Sequence, residues 1–171
     1  MRPPVAASPD IRRDLVSLLP KLRRFAVTLT GELADADELV QSVCQRGIAR
    51  IHSWNNEGRL EGWLYAMARH QWDETRRHRV RPSHGKGAAL EQGDPVAQLQ
   101  ANPVEASEAH RMVTSLPEGL ASVFLLVAIE HYSYQQTADI LGIPLSTVTS
   151  RLASARLQLS AMGNSRSPRR Y

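Results

Sequence analysis

The stretch Tyr134 to Arg156, YQQTADILGIPLSTVTSRLASAR, combines residue types that contact DNA with a spacing that can present them. Ala138, Gly142 and Val148 stand four and six residues apart. Two helices that cross closely need a small residue at the contact, a corner residue tolerant of positive φ, and an apolar residue facing back from the second helix. Ile140, Leu141, Ile143, Leu145, Val148, Leu152 and Ala155 are expected on the inner face, with Ser146, Thr149, Ser150, Ala153 and Ser154 opposite. Small hydroxyl side chains let a helix sit deep in the major groove, while Arg151 and Arg156 can reach phosphates or guanine edges. Ser146 or Thr147 is expected to cap the second helix and leave backbone N–H groups for a phosphate. The plainer reading of these residues is a packed helical hairpin with a solvated polar face.

A second group of cations precedes the hairpin. Between Arg69 and Lys86 lie six Lys/Arg (Arg69, Arg76, Arg77, Arg79, Arg81, Lys86) against Asp73 and Glu74, with His70, His78 and His84 among them. Arg151 to Tyr171 holds five Arg and no acid, whereas Gly87 to His110 holds four acids and no Lys or Arg. Two basic blocks around an acidic stretch, in a chain of net charge +4, suit a polyanion partner, although a charge run is commonly just a solvated face. Trp54, Trp63 and Trp72 could stack on exposed bases. Trp63 shares helical spacing with Leu60, Leu64 and Met67 and is expected in the core; Trp54, in a Gly- and Asn-rich loop, is the better surface candidate, and Trp72 stays open.

Other chemistry finds no support. The single cysteine, Cys44, cannot form an internal disulfide, and the six histidines show no zinc-site spacing. HGKGA lacks the P-loop pattern, and no Ser/His/Asp or paired-carboxylate arrangement can be argued. Neither an enzyme, a metal nor a cofactor is indicated. No run approaches the roughly 18 apolar residues of a membrane span, and MRPPVAASPD breaks with Pro where a signal peptide needs an apolar core. A cytoplasmic protein is expected.

The elements that must position these residues are helices. Leu15, Leu18, Leu22, Phe25 and Leu29 recur at three- and four-residue intervals, with Thr30-Gly31 as the stop. A second helix is expected from near Asp35 to about Ser53, carrying Leu39, Val40, Val43, Cys44, Gly47, Ile48 and Ile51 inward and Asp35, Asp37 and Glu38 where the helix dipole favours negative charge. SWNNEGRLEG has the composition of an exposed loop, and Leu60, Trp63, Leu64, Met67, Ala68 and Trp72 form a third stripe. From Arg81 to Pro103 few large apolar residues repay the ordering of a Pro- and Gly-rich backbone, so a linker is expected. Beyond it, Pro117 opens a buried helix through Leu120, Val123, Phe124, Leu126, Val127 and Ile129 that leads into the hairpin. The expected architecture is all-α: a helical domain over 10–80, a linker over 81–103, a helix-turn-helix domain over 104–162 and a disordered tail over 163–171.

In this order the parts resemble a bacterial RNA polymerase sigma factor of the extracytoplasmic-function group, over about Asp14 to Leu159. DADELVQSV resembles the family's DAEDLVQ segment of region 2, and GWLYAMARHQWDETRR its AWLxxIARN…D…RR segment. LPEGLASVFLLVAIEHYSYQQTADILGIPLSTVTSRLASAR is similar to region 4, LPxxxRxVLLLxxxEGLSYxEIAxxLGIPxGTVxSRLxRAR. The resemblance implies that Asp35, Asp37, Glu38, Leu39 and Gln41 dock on the β′ coiled coil of core polymerase, and that region 4 meets the β flap. It implies further that the loop with Trp54, Asn55, Asn56 and Arg59, together with Arg69, His70, Arg76 and Arg77, melts and holds the −10 element as single strand. Ser146, Thr147, Thr149, Ser150, Arg151, Ser154 and Arg156 would read the −35 element as duplex, the acidic linker would thread toward the RNA exit path, and an anti-sigma factor is an expected partner.

Three positions depart from the pattern. His70 stands where Asn is usual, Thr149 where Lys or Arg is common, and Ser154 where Arg is frequent, so the −35 helix is less basic than the family's. The competing reading is a sigma-like decoy that sequesters an anti-sigma factor without binding DNA, although such decoys are typically joined to a receiver domain; a stand-alone helix-turn-helix repressor is a weaker alternative.

Overall fold

The computed structural model describes residues 9–54, 58–80 and 108–166, and every described element is helical. In chain order these are α1 (Pro9–Thr30), α2 (Leu33–Arg50) with a 3-10 turn at Ile51–Ser53, α3 (Leu60–Val80), α4 (Glu108–Thr114), α5 (Glu118–Phe124) running into a π-helical turn at Leu125–Ile129, α6 (Tyr134–Leu141) and α7 (Leu145–Arg166). No described helix is long and apolar enough to cross a membrane.

The apolar stripes set the packing of the first three helices. Leu15, Leu22, Phe25 and Leu29 of α1 are buried against Ala36, Leu39, Val43 and Gly47 of α2 and Leu64, Tyr65, Ala68 and Trp72 of α3. Burial at three- and four-residue intervals keeps one face of each helix against its neighbours. Leu39 thus belongs to the core, 5% exposed, because it lies one turn from both Ala36 and Val43. The expectation that Leu39 forms part of a docking surface is corrected accordingly.

The second group of helices does not keep to itself. Val123, Leu125, Leu126, Tyr132, Ala138, Leu141, Val148 and Leu152 join the same core as the α1–α3 stripes. Phe25 and Tyr65 pack with ring centroids 4.6 Å apart, and Tyr65 meets Tyr132 edge-on at 6.2 Å. A smaller cluster of Leu116, Ala121 and Ala155 holds α5 to α7.

Several boundaries differ from expectation. α2 starts two residues before Asp35, and the continuous buried helix expected through Ile129 changes to a π turn after Phe124, which leaves Ile129 largely exposed. Pro117 precedes the first turn of α5 as its N-cap rather than lying within it. Leu145, expected on the inner face, is 46% exposed, since the buried stripe of α7 begins one turn later at Val148. α7 continues to Arg166, four residues into the expected tail. The linker at 81–103 and residues 167–171 lie outside the described residues.

Candidate nucleic-acid interface

The helix-turn-helix is fixed at three points. α6 opens with a reciprocal cap: Ser133 Oγ accepts from the Gln136 N–H at 3.1 Å, and Gln136 Oε1 accepts from the Ser133 N–H at 3.0 Å. It closes at Gly142, whose φ of 62° is left-handed, with the Gly142 and Ile143 N–H groups both donating to the Ala138 carbonyl. Ala138 and Val148 are both buried, so the spacing read from the sequence does make the close crossing. Thr137 is also fully buried on this face, and its Oγ1 has no hydrogen-bond partner among the described residues.

The outer face of α7 carries Ser146, Thr149, Ser150, Ser154 and Arg156 in exposed positions, with Thr147 half-buried. Ser146 and Thr147 occupy the first turn instead of capping it, because the helix already starts at Leu145; the Thr147 and Val148 N–H groups donate to Pro144 O at 3.0 and 3.2 Å. Thr149 Oγ1 donates to Leu145 O at 3.2 Å and Ser150 Oγ to Thr147 O at 3.1 Å, leaving their oxygen lone pairs as outward acceptors. Arg151 points elsewhere. A Cβ built on Gly119 would lie 2.9 Å from Arg151 Nη1, so the guanidinium rests against the first turn of α5.

On α3 the exposed cations gather toward the C-terminus. Arg76, Arg77 and His70 are exposed, and Arg77 Nε donates to Asp73 O at 3.3 Å. Arg69 is half-buried with Nε 3.1 Å from Asp73 Oδ2, and His70 Nδ1 is 3.8 Å from Glu74 Oε1. Trp72 is in the core with the Arg79 guanidinium 5.5 Å over its ring, and Trp63 packs half-buried against the core as its spacing suggested. Trp54, expected at the surface, is half-buried against the core with a buried Nε1 that has no hydrogen-bond partner among the described residues. Asn55 and Asn56 lie outside the described residues.

Arg59 shows what the sequence reading missed. Its Nε and Nη2 donate to Glu61 Oε1 at 3.0 and 2.7 Å, its Nη1 donates to Glu130 O at 2.8 Å, and its guanidinium lies 4.3 Å over the Tyr132 ring. Burial alone would raise the Glu61 carboxyl, but its backbone hydrogen bond, Arg59 and Lys21 outweigh that and hold it below the usual carboxylate range. Burial, only partly offset by Arg59, pushes the Tyr132 hydroxyl up to about 12, so it stays a neutral phenol. Glu61, Glu130 and Tyr132 carried no local signal beyond one acid inside an apolar run, LLVAIEHY.

The acidic row on α2 is mostly at the surface but already paired. Asp35 accepts from Arg79 at 3.2 and 3.3 Å, and Asp37 from Arg23 at 2.7 and 3.2 Å. Glu38 and Gln41 are exposed. Among the described residues, no group of three or more His, Cys, Asp or Glu could hold a metal ion.

Comparison with known proteins assigns both halves. Residues 106–159 match the model for sigma-70 region 4, and residues 15–80 match the model for the sigma2 domain of PhyR. The ECF RNA polymerase sigma factor EcfG of Rhodopseudomonas palustris is 31% identical over 156 residues, covering 90% of this chain and 84% of that protein. SigC of Mycobacterium tuberculosis, also an ECF RNA polymerase sigma factor, is 32% identical over 142 residues, covering 81% of this chain and 75% of its own. Among solved structures, the sigma factor RpoE of Bartonella quintana, crystallised with the anti-sigma factor NepR, superposes with a TM-score of 0.67 at 22% identity, covering 92% of this chain and 99% of that one. The anti-anti-sigma factor PhyR complexed with NepR from the same organism gives 0.52 at 18% identity, over 89% of this chain and 50% of that one. At these identities the two structures establish the fold.

Proposed function

The chain belongs to the ECF group of bacterial RNA polymerase sigma factors, and from that membership we propose how its surfaces divide the work of promoter recognition. Sigma factors are regulators of transcription that bind core RNA polymerase and direct it to promoters; this chain acts by binding energy rather than by an active site. The observation that carries the residue-level reading is the left-handed corner at Gly142 between buried Ala138 and Val148, which leaves Ser146, Thr149, Ser150, Ser154 and Arg156 on one outer face. That face reads the −35 duplex, with hydroxyl oxygens accepting from base edges and Arg156 reaching phosphate. Arg151 contributes by bracing α7 against α5.

The exposed Arg76 and Arg77, with Arg69, His70 and the loop from Trp54 to Arg59, hold the opened −10 strand. Asp35, Asp37, Glu38 and Gln41 meet the polymerase β′ coiled coil, where exchange of internal arginine partners for external ones costs little because exposed pairs are weak. Region 4 meets the β flap, an anti-sigma factor restrains the free protein, and the work is done in the cytoplasm by two helical domains, 10–80 and 104–162, on a tether.

Transcription in vitro with core polymerase tests the reading. Promoter-dependent transcripts are expected from the wild type; the Arg76→Ala, Arg77→Ala double variant should keep polymerase binding and lose open complexes. Loss of polymerase binding would refute the division of labour. The match of residues 15–80 to the PhyR sigma2 domain favours one second reading, a decoy for an anti-sigma factor. A decoy gives no transcript under any condition and binds the anti-sigma protein.

A further inference from the structure

The face of α3 proposed to hold the opened −10 strand carries an acid that phosphate attraction does not explain. Glu74 stands one turn after His70 and three residues before Arg77, so the three share a side of the helix. Its side chain is 42% exposed, with Arg46 Nη1 of α2 3.7 Å from Oε2 and His70 Nδ1 3.8 Å from Oε1. Both distances are too long for a hydrogen bond, so the two neighbours steady the carboxylate from opposite oxygens without occupying its lone pairs. The adjacent acid is already engaged: Asp73 Oδ2 lies 3.1 Å from Arg69 Nε. Arg50, one turn beyond Arg46 on α2, is exposed, as is Arg77. A carboxylate in such a place repels a phosphate backbone whatever the sequence, whereas a base edge that bears donors gains from it.

We propose that Glu74 reads an unpaired guanine in the opened −10 strand, its two oxygens accepting from the base's N1–H and N2–H while the His70 ring stacks on the purine. The inference rests on the proposed role of this face. Splayed single-stranded bases present Watson–Crick edges that paired DNA hides. On that edge guanine alone carries two adjacent donors. Adenine and cytosine set an amino group beside a ring nitrogen that only accepts, and thymine has a single N–H between two carbonyls. A carboxylate with neither oxygen hydrogen-bonded among the described residues matches guanine and repels the acceptors of the other three. Two parallel charge-assisted hydrogen bonds are also the strongest such contact available to a side chain of this kind. His70, 69% exposed, supplies an aromatic face where the family pattern has Asn, and Arg50 and Arg77 are placed to take the flanking phosphates.

Fork-junction DNAs randomised across the single-stranded −10 segment, selected on the full chain bound to core polymerase, test the assignment. Guanine should be enriched at one position by the wild type and not by Glu74→Gln, a change of equal size at an exposed side chain. At that position inosine, which lacks the N2 amine, should bind about tenfold more weakly than guanine, while 7-deazaguanine, whose Watson–Crick edge is intact, should bind equally. Glu74→Gln should erase the difference between guanine and inosine. His70→Asn should weaken purines there about fivefold and keep the guanine preference; unchanged affinity overturns the stacking half of the site. The guanine contact is overturned if the wild type enriches no guanine, or if Glu74→Gln tightens every probe alike, as removal of a merely repulsive charge would. Failure of the proposed function looks different: the wild type with core polymerase then retains no fork DNA of any sequence and yields no promoter-dependent transcript, and the guanine site falls with it.

Discussion

Thr137→Val should make the protein more stable. Thr137 is fully buried between α6 and its neighbours, and its Oγ1 has no partner among the described residues. A buried hydroxyl without a hydrogen bond costs about 1–3 kcal/mol relative to one that stays solvated. Valine keeps the branched shape and replaces the hydroxyl by a methyl group, whose burial contributes about 0.8 kcal/mol by transfer. Part of that gain is lost to imperfect packing, so about 1–2 kcal/mol of net stabilisation is expected, against the destabilisation of about 1 kcal/mol typical of a point substitution. In urea titrations the midpoint should rise at unchanged slope, and for a domain of this size each 1 kcal/mol corresponds to about 2–4 °C in melting temperature. Because Thr137 faces inward, −35 recognition should not change. A lower midpoint would show that Oγ1 has a partner in solution and that the tight crossing at Ala138 depends on it.

Other substitutions separate local structure from recognition. Ser133→Ala removes the Oγ acceptor of the α6 cap, while the residue-133 N–H can still donate to Gln136 Oε1, and should cost about 1 kcal/mol, with faster amide exchange confined to the first turn of α6; uniform exchange would contradict a local cap. Asp37→Asn removes the charge from a pair whose carboxylate is exposed and whose Arg23 partner is half-buried, so stability should fall by no more than about 1 kcal/mol while affinity for core polymerase falls severalfold; unchanged affinity removes Asp37 from the docking surface. Ser150→Ala should alter −35 sequence preference more than salt dependence, and a uniform loss across promoters would argue against base readout. The depressed Glu61 carboxyl contributes stability that is complete above its unfolded pKa and is lost as pH falls through the lower folded value; Glu61→Gln should flatten this acid limb, and an unchanged limb would place the linkage elsewhere.

Local periodicity carried most of the helices. Leu15, Leu22, Phe25 and Leu29 are buried together because their spacing follows one helical face, and Gly142 turns left-handed where Ala138 and Val148 require it. What the sequence did not disclose is set by contacts across long separations. Arg59 and Glu130 bond 71 residues apart, and no pattern within either segment marks the partner. The same limit hid the direction of Arg151, which depends on Gly119 in another helix, and the half-burial of Trp54, which stands in a stretch that composition marks as exposed. Leu39 was legible as a core residue from its spacing, and the family resemblance drew it instead into the acidic row.

The distribution of cations constrains how this sigma factor can hold DNA. Residues 146–156 contain two arginines, and one of them is turned toward α5, so Arg156 is the exposed cation of the proposed −35 face. One phosphate contact contributes a salt slope of only about 0.9, far below what a self-sufficient duplex binder uses. Hydroxyl oxygens can discriminate bases but supply little non-specific attraction. Affinity for the −35 element must therefore come largely from elsewhere in the assembly, through the high effective concentration that docking on polymerase creates. On this reading docking on polymerase governs promoter binding as well, since the proposed −35 face presents Arg156 as its exposed arginine.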